Sequence, residues 1–183
     1  MSRPASRRVR LFIAASLDGY IAGPRGGIDW LFHDQDYGYE DFLASVDTVL
    51  MGRKSYEASL TLGEWPRRLA LWVFTRSPKA FANKRFTFTD QPPAEVVARI
   101  RKERGRDLWL LGGGELVKAF LDAGLIDEMM VAIHPIVLGR GIPLFPPGTR
   151  RTGLRLTDSR AYDSGLVMLT YEAERKKVRR PSR

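Results

Sequence analysis

Short apolar runs alternate with segments of helical periodicity along most of the chain. Compact apolar runs, which are typical of buried β-strands, occur at residues 9–15, 48–51, 71–74, 86–89, 108–111 and 128–137. Apolar residues recur at helical spacing in residues 39–46, 96–100 and 116–121, and a short polar segment at 53–59 begins as a helix would.

The end of the chain follows a different pattern. Two strands are predicted at residues 154–162 and 166–172, joined across Asp163, Ser164 and Gly165, which is typical of a hairpin. Because strands and helices alternate first and a hairpin comes last, we predict an α/β fold. It has a mainly parallel central sheet, helices on both faces and an antiparallel C-terminal hairpin.

The length and composition indicate one folded domain. The chain has 183 residues, of which 44% are hydrophobic and 10% aromatic, enough to bury one substantial core. We place this domain at residues 9–173, between a basic flexible N-terminus at 1–8 and a basic flexible tail at 174–183.

The net charge of +9 is concentrated at the two ends. Residues 1–10 and 175–183 contribute ten positive charges and no negative one, which leaves 20 basic and 21 acidic residues between them. Such ends either bind polyanions through non-specific phosphate contacts or are two solvated, frayed termini. We favour frayed termini and expect no nucleic-acid binding beyond non-specific contacts of the tails.

Composition also excludes several classes of site. The absence of cysteine rules out disulfides, thiolate metal ligands and thiol nucleophiles, and two histidines are too few for a histidine-rich metal site. We interpret both of them, His33 and His134, as structural. No apolar stretch approaches the roughly 20 residues of a membrane span, and the N-terminus lacks the apolar run of a secretion signal. We therefore expect a cytoplasmic protein with no metal site and no membrane contact.

The first candidate binding motif is a strand that leads into three glycines and a helix. Gly112, Gly113 and Gly114 follow the strand at 108–111, and Glu115 and Leu116 begin the helix. Backbone without a Cβ can approach a ligand closely, and the free N–H groups of a helix N-terminus suit a pyrophosphate. The spacing is not G-x-G-x-x-G, so it gives no direct support to a Rossmann fold. A tight structural turn is the alternative interpretation.

Two further strands lead into cationic, hydroxyl-bearing segments. The first segment is Gly52, Arg53, Lys54 and Ser55, and the second is Thr75, Arg76 and Ser77. Cations at a helix N-terminus are unfavourable with the helix dipole, which favours anion binding over helix stabilisation. Ligands of open α/β sheets bind at the carboxyl edge of the strands, where all three motifs would lie. A solvated charged turn is the alternative for each segment.

Six segments taken together resemble the dihydrofolate reductase superfamily. In chain order they are AASLDGYIAG (14–23), IDW (28–30), MGRKSYE (51–57), FTRS (74–77), GGGEL (112–116) and LGRGIPLF (138–145). The likeness covers about residues 9–172. The segment PIVLGRGIPLF (135–145) is similar to the riboflavin biosynthesis reductase branch rather than to true dihydrofolate reductases.

The resemblance implies a dihydrofolate reductase-like fold and NADPH as the cofactor. It implies that Ala14 and Ala15 line the nicotinamide, that residues 52–55 and 75–77 contact the adenosine phosphates, and that residues 112–116 hold the pyrophosphate. It also implies hydride transfer to a flat polar heterocycle of the pterin or aminopyrimidine type. Compounds like 5-amino-6-(5-phosphoribosylamino)uracil or dihydrofolate are examples.

The sequence departs from the family where the substrate is recognised. True dihydrofolate reductases carry a carboxylate on the first helix, and Asp36 stands at about that position. A helix cap or a solvated acidic turn is the alternative for Asp36. Trp30 would stack on a flat ring, or else belong to the core.

Two expectations concern selectivity and assembly. The segments after Gly52 and Phe74 contain no acid that would repel a 2′-phosphate, and the nearest one, Glu57, lies a turn further on. We therefore expect NADPH to be preferred to NADH, with Arg53 and Arg76 as the chief discriminators. The resemblance implies a homodimer, and residues 167–171 of the hairpin are apolar enough to require cover.

Two other functions stay open. One is a cofactor-binding relative that has lost turnover, and the other is a nucleic-acid-associated protein that acts through its basic ends.

Overall fold

The computed structural model describes residues 6–61 and 63–174. Ten strands and four α-helices alternate in this part of the chain, together with one 3-10 turn at Pro78–Ala80. In chain order the strands and helices are β1 (Val9–Ser16), β2 (Tyr20–Ala22), α1 (Tyr39–Ser45), β3 (Val46–Gly52), α2 (Arg53–Ser59), β4 (Ala70–Phe74), β5 (Thr87–Thr89), α3 (Pro93–Ile100), β6 (Asp107–Gly112), α4 (Gly114–Asp122), β7 (Glu128–His134), β8 (Ile142–Pro143), β9 (Leu154–Ala161) and β10 (Val167–Ala173).

Eight of these strands form one central sheet in the order β5-β4-β3-β6-β1-β7-β10-β9. The neighbours from β5 to β7 are parallel, and β10 is antiparallel to both β7 and β9. Strands β2 and β8 form a separate antiparallel pair. The predicted fold class, a mainly parallel sheet ending in an antiparallel hairpin, is confirmed.

The sheet separates two cores because its side chains alternate between the two faces. On β6, Leu108 and Leu110 pack against α3 and α4, whereas Trp109 between them packs on the opposite side with Phe42 of α1. The side chains of β3 alternate in the same way: Leu50 lies in the core with α3 and α4, and the residues on either side of it lie in the core with α1. Helices therefore cover both faces, as predicted.

The element bounds differ from the predicted ones where the sequence pattern is weak. The strand predicted at 128–137 ends at His134, because Pro135 cannot donate an N–H to the ladder. The short strands β2 and β8 were not predicted, since two or three residues carry no measurable periodicity.

The prediction of a flexible terminus at residues 1–8 is wrong for Arg7 and Arg8. The Arg7 side chain is 7% exposed, donates from Nε to the Arg106 carbonyl at 2.6 Å and pairs with Asp47. Arg8 pairs with Glu128 at 3.1 Å. A buried guanidinium needs carboxylate and carbonyl partners, and the fold supplies them. The basic residues 175–183 and residues 1–5 lie outside the described part.

The hairpin closes one side of the sheet. Strand β10 is paired on both edges, so the exposed edge is β9, whose eight residues are all solvent-exposed. Residues 167–171, which the sequence predicts to need cover, are therefore covered by β7 on one edge and by β9 on the other. Within the described ranges, none of the helices has the length and apolar character needed to cross a bilayer.

Candidate active site

One large cleft opens at the carboxyl edge of the sheet, with a volume of about 1850 Å³. It lies across the ends of β1, β3, β4 and β6, which are consecutive neighbours in the order β4-β3-β6-β1. The three motifs that follow β3, β4 and β6 meet here, as the sequence predicts for parallel strands. The predicted ligand-binding residues that line the cleft are Ala14, Gly52, Arg53, Lys54, Ser55, Thr75, Arg76, Ser77, Gly113, Gly114, Glu115 and Leu116.

Two predicted cofactor residues do not line the cleft. Ala15 is fully buried in the core that contains α3 and α4, whereas Ala14 points to the other side of the sheet and lines the cleft. Gly112 is buried at the end of β6 and has a positive φ of 108°, where a residue with a Cβ would be strained. Gly112 therefore shapes the turn without touching the cleft.

The two glycine turns are adjacent. A Cβ on Gly52 would lie 3.8 Å from the Gly112 carbonyl oxygen, so β3 and β6 end side by side. At Gly114 a Cβ would lie 2.3 Å from the Pro143 carbonyl oxygen. Strand β8 thus packs directly on the start of α4, and only glycine fits there.

The start of α4 offers unpaired N–H groups to the cleft. The first N–H groups of a helix have no intrahelical acceptor, and Gly113 at the N-cap provides no side chain to bind them. Gly113 and Gly114 line the cleft, so a ligand can reach this backbone without meeting a Cβ. The N–H groups and the dipole of this nine-residue helix suit an anionic group.

Cations line the cleft beside this helix terminus. Arg53 and Lys54 begin α2, and Arg76 follows β4; all three side chains are exposed. Arg53 Nη1 donates to Glu57 Oε1 at 2.6 Å, an i,i+4 pair within α2. Arg76 makes no ion pair or hydrogen bond among the described residues. Of the two arginines, Arg53 would have to give up this ion pair to bind a phosphate, whereas Arg76 has none to give up among the described residues.

Aromatic side chains line another part of the cleft. Tyr39, Trp65 and Trp109 all border it, and the Trp109 ring centroid lies 5.8 Å from those of both Tyr39 and Trp65. The apolar side chains of Ile28 and Leu31 complete this lining. Such a surface accommodates a flat ring by stacking and by edge contacts.

Sequence reasoning missed these three aromatic residues. Trp65 lies in an irregular segment. Trp109 lies in an apolar strand, where the sequence predicts burial in the core and gives no indication of a binding role. The only signal was their residue type, because nothing in the pattern places residues 44 positions apart against one another. The helical spacing of residues 39–46 predicts a helix that contains Tyr39, but it does not indicate which way Tyr39 faces.

Asp36 is not on the first helix, and it does not line the cleft. It precedes α1, its side chain is exposed, and its Oδ1 accepts the backbone N–H groups of Tyr39 at 2.8 Å and Glu40 at 3.2 Å. The structure therefore places Asp36 as a cap of α1, the alternative that the sequence left open. The expected placement on the first helix is wrong because α1 begins only after Gly38.

Trp30 borders a second, smaller cavity of about 360 Å³ instead of the large cleft. Its ring meets His134 edge to face, with centroids 5.1 Å apart, and its Nε1 is buried without a partner among the described residues. Both residues therefore hold the segment between β2 and α1 against β7. A stacking contact of Trp30 with a ligand in the large cleft is not supported.

His134 makes two hydrogen bonds that define its tautomer. The Phe32 N–H lies 3.2 Å from Nε2, and Nδ1 lies 3.2 Å from the Ala132 carbonyl oxygen, so Nδ1 carries the proton. Burial is the main cause that lowers the pKa of His134 below 6.5, while the bond to Ala132 opposes it. A neutral imidazole at this position is structural, as the sequence indicates.

The sequence is similar to known proteins over most of its length. The family model of the RibD C-terminal domain matches residues 7–168. The uncharacterized protein YyaP of Bacillus subtilis (strain 168) is 37% identical over 177 residues, which cover 90% of this chain and 94% of that protein.

Solved structures of other proteins share this fold. A Shewanella sp. PV-4 protein, described provisionally as a riboflavin biosynthesis protein, superposes with a TM-score of 0.80 at 29% identity, covering 92% of this chain and 99% of that one. Dihydrofolate reductase of Enterococcus faecalis, solved with NADP(H), gives a TM-score of 0.69 at 16% identity, covering 92% and 97%. With a family model that spans most of its length and these shared folds, the chain belongs to the RibD C-terminal domain family.

Proposed function

We propose that this protein is an NADPH-dependent reductase that transfers hydride to a flat polar heterocycle. One observation carries the proposal: a single cleft joins an uncapped helix terminus, a group of cations and an aromatic lining. NADPH has the complementary layout, with anionic phosphates and a flat nicotinamide joined in one extended molecule.

Each part of the cleft has a corresponding role in this proposal. The α4 terminus at Gly113 and Gly114 holds the pyrophosphate, and Arg53 and Arg76 bind the 2′-phosphate. Ala14 borders the nicotinamide, where its small side chain lets the ring approach β1. When bound, NADPH supplies the hydride, and the chain orients the two rings and excludes water.

Known proteins of the same fold support the proposal. The Enterococcus faecalis dihydrofolate reductase of the same fold was solved with NADP(H). A Thermotoga maritima protein with a TM-score of 0.72 at 16% identity is described as a pyrimidine deaminase and 5-amino-6-(5-phosphoribosylamino)uracil reductase. Both connect this fold with reduction of a pterin or pyrimidine ring.

Two measurements test the proposal. Saturable NADPH binding is expected by fluorescence titration, followed by NADPH oxidation with a member of a panel that contains dihydrofolate and 5-amino-6-(5-phosphoribosylamino)uracil. Binding without oxidation of any member would favour a cofactor-binding protein without turnover. Absence of saturable NADPH binding would refute the proposal.

The nucleic-acid alternative is separated by truncation. Arg7, Arg8 and Arg10 already pair with carboxylates of the body, so the N-terminal segment offers fewer free cations than its sequence indicates. Removing residues 175–183 should abolish residual polyanion binding and leave NADPH binding unchanged.

A further inference from the structure

The turn between β1 and β2 carries a carboxylate that the proposed function does not use. Asp18 lies in this turn, is exposed and does not line the large cleft. Its Oδ1 accepts the Ser16 hydroxyl at 2.6 Å and the Leu138 N–H at 3.1 Å, and its Oδ2 accepts the Gly139 N–H at 2.8 Å. Because these backbone groups lie about 120 positions later in the chain, Asp18 connects the turn to a distant segment.

These hydrogen bonds keep Asp18 ionised. The bond from the Ser16 hydroxyl is the main cause that lowers the pKa of Asp18 below its ordinary value, and the two backbone N–H groups lower it further, while desolvation opposes them. The Ser16 oxygen also accepts the Tyr20 N–H at 2.9 Å, which fixes the orientation of that hydroxyl. At neutral pH Asp18 is therefore a carboxylate, an acceptor that suits several converging donors.

The distant segment is held at two points by the same turn. We call residues 135–145 the β8 segment, because they follow β7 and contain β8. Asp18 binds this segment before β8, and after β8 the Leu144 N–H donates to the Gly19 carbonyl oxygen at 2.9 Å. Between these two points, β8 pairs with β2. The turn between β1 and β2 therefore fixes the position of β8.

Strand β8 in turn borders the start of α4. A Cβ on Gly114 would lie 2.3 Å from the Pro143 carbonyl oxygen, so β8 packs directly on the helix terminus. Ile142 of β8 and Ile21 of β2 line the cleft together with Gly113 and Gly114. A displacement of β8 would therefore move the wall of the cleft beside the N–H groups that we assign to the pyrophosphate.

We propose that Asp18 is a positioning residue for cofactor binding, which acts by holding the β8 segment against the start of α4. Asp18 itself does not touch the cofactor. This inference rests on the proposed reductase function, since it assigns the effect to NADPH. If only the held arrangement binds the cofactor, any loss of that arrangement lowers the apparent affinity in proportion to the fraction of molecules that lack it.

Asp18→Asn tests this role with almost no change of shape. The amide oxygen can keep the bonds that Oδ1 makes, but the amide NH2 then faces the Gly139 N–H, a donor against a donor. In the protein without cofactor, amide hydrogen exchange should become faster at Ile142 and Leu144, because the β8 segment opens more often. In fluorescence titrations, NADPH and NADH should both bind about two- to tenfold more weakly, the effect of one net hydrogen bond on a part of the site that serves both.

The matched control is Asp122→Asn. Like Asp18, Asp122 is an exposed carboxylate whose pKa is lowered mainly by a side-chain hydrogen bond, here from Lys118. It accepts the Arg150 N–H at 2.8 Å, but it is the last residue of α4 and does not line the cleft. Both variants should lower the urea midpoint, and only Asp18→Asn should weaken cofactor binding. Equal weakening by the two variants would show that a general loss of stability is responsible, and would overturn the positioning role.

The two readouts separate this inference from the proposed function. If the parent binds NADPH and Asp18→Asn binds it equally well, the positioning role is wrong. Unchanged exchange at Ile142 and Leu144 would also overturn it. If the parent does not bind NADPH, the reductase function fails, whereas faster exchange at these two amides in Asp18→Asn would still support the hold of Asp18 on the β8 segment.

Discussion

The preference for NADPH over NADH should depend on Arg76 more than on Arg53, because only Arg53 of the two forms an ion pair among the described residues. The 2′-phosphate is the only difference between NADPH and NADH, so selectivity requires groups that pair with a dianion. Arg53 is already paired with Glu57 at 2.6 Å, whereas Arg76 has no ion pair among the described residues. Binding a phosphate at Arg53 must therefore weaken an existing pair.

The magnitudes follow from this difference. A charge-assisted hydrogen bond is worth about 1.5–3 kcal/mol, so Arg76→Ala should weaken NADPH binding about tenfold to a hundredfold. An exposed i,i+4 ion pair is worth about 0.3–0.5 kcal/mol. Because Arg53 gives up such a pair when it binds the phosphate, Arg53→Ala should reduce the free energy of NADPH binding by about that much less than Arg76→Ala does. Glu57→Gln frees Arg53 and should strengthen NADPH binding about twofold.

Fluorescence titration of both cofactors against the parent and the three variants measures these effects. Binding of NADH should change little in every variant, because it lacks the phosphate. Equal parental affinities for the two cofactors would refute the reasoning. So would equal losses of NADPH and NADH binding in Arg76→Ala, and a loss on Glu57→Gln would contradict the competition argued for Arg53.

Three further predictions concern stability and assembly. Asp36→Ala removes the cap of α1 and should lower the free energy of unfolding by about 1 kcal/mol, measured by urea denaturation, with NADPH affinity and turnover unchanged. If Asp36→Ala instead lowered turnover and left stability unchanged, Asp36 would act on the substrate and not as a helix cap. Because the pKa of His134 is lowered on folding, its contribution to stability is complete above about pH 6.5 and is lost as the pH falls towards the folded-state pKa. As the pH is lowered from about 7.5 to about 5, a range that includes the ordinary pKa of histidine, the urea midpoint of the parent should fall, and that of His134→Gln should fall less. Parallel curves for the two proteins would show that another group is responsible. We also predict a homodimer in light scattering that involves the β9 edge, where Leu154 and Leu156 are 38% and 49% exposed, and Leu156→Lys should weaken it. A monomeric parent at micromolar concentration would be inconsistent with this.

The sequence was informative wherever a periodic pattern had one structural solution. Residues 108–111 alternate between two cores, and their apolar run predicts a buried strand whichever face each residue takes. Three strand ends carrying glycines or cations had to share an edge once the sheet was parallel, so the cleft followed from topology.

The parts that failed depend on side-chain direction or long-range contact. Whether Asp36 or Tyr39 faces the cleft depends on where α1 begins. Its N-cap residue is Gly38, which has a φ of 85° and no side chain to bond the helix N–H groups, and a cap from Asp36 two residues earlier has no standard sequence pattern. The burial of Arg7 depends on Asp47 and Arg106, which only the folded sheet brings to it. The pairing of Arg53 with Glu57, in contrast, is local, because residues four positions apart lie on the same face of a helix.

The position of β1 in the sheet has a consequence for biosynthesis. This strand lies between β6 and β7, both of which are translated about a hundred residues later, roughly ten seconds at common elongation rates. During that interval its apolar residues cannot form their final contacts, while β3 and β4, which are close in sequence, can already pair. Until β6 emerges, the nascent chain therefore has no partner for this hydrophobic strand, and the cleft, which lies across the ends of β1 and β6, cannot form before then.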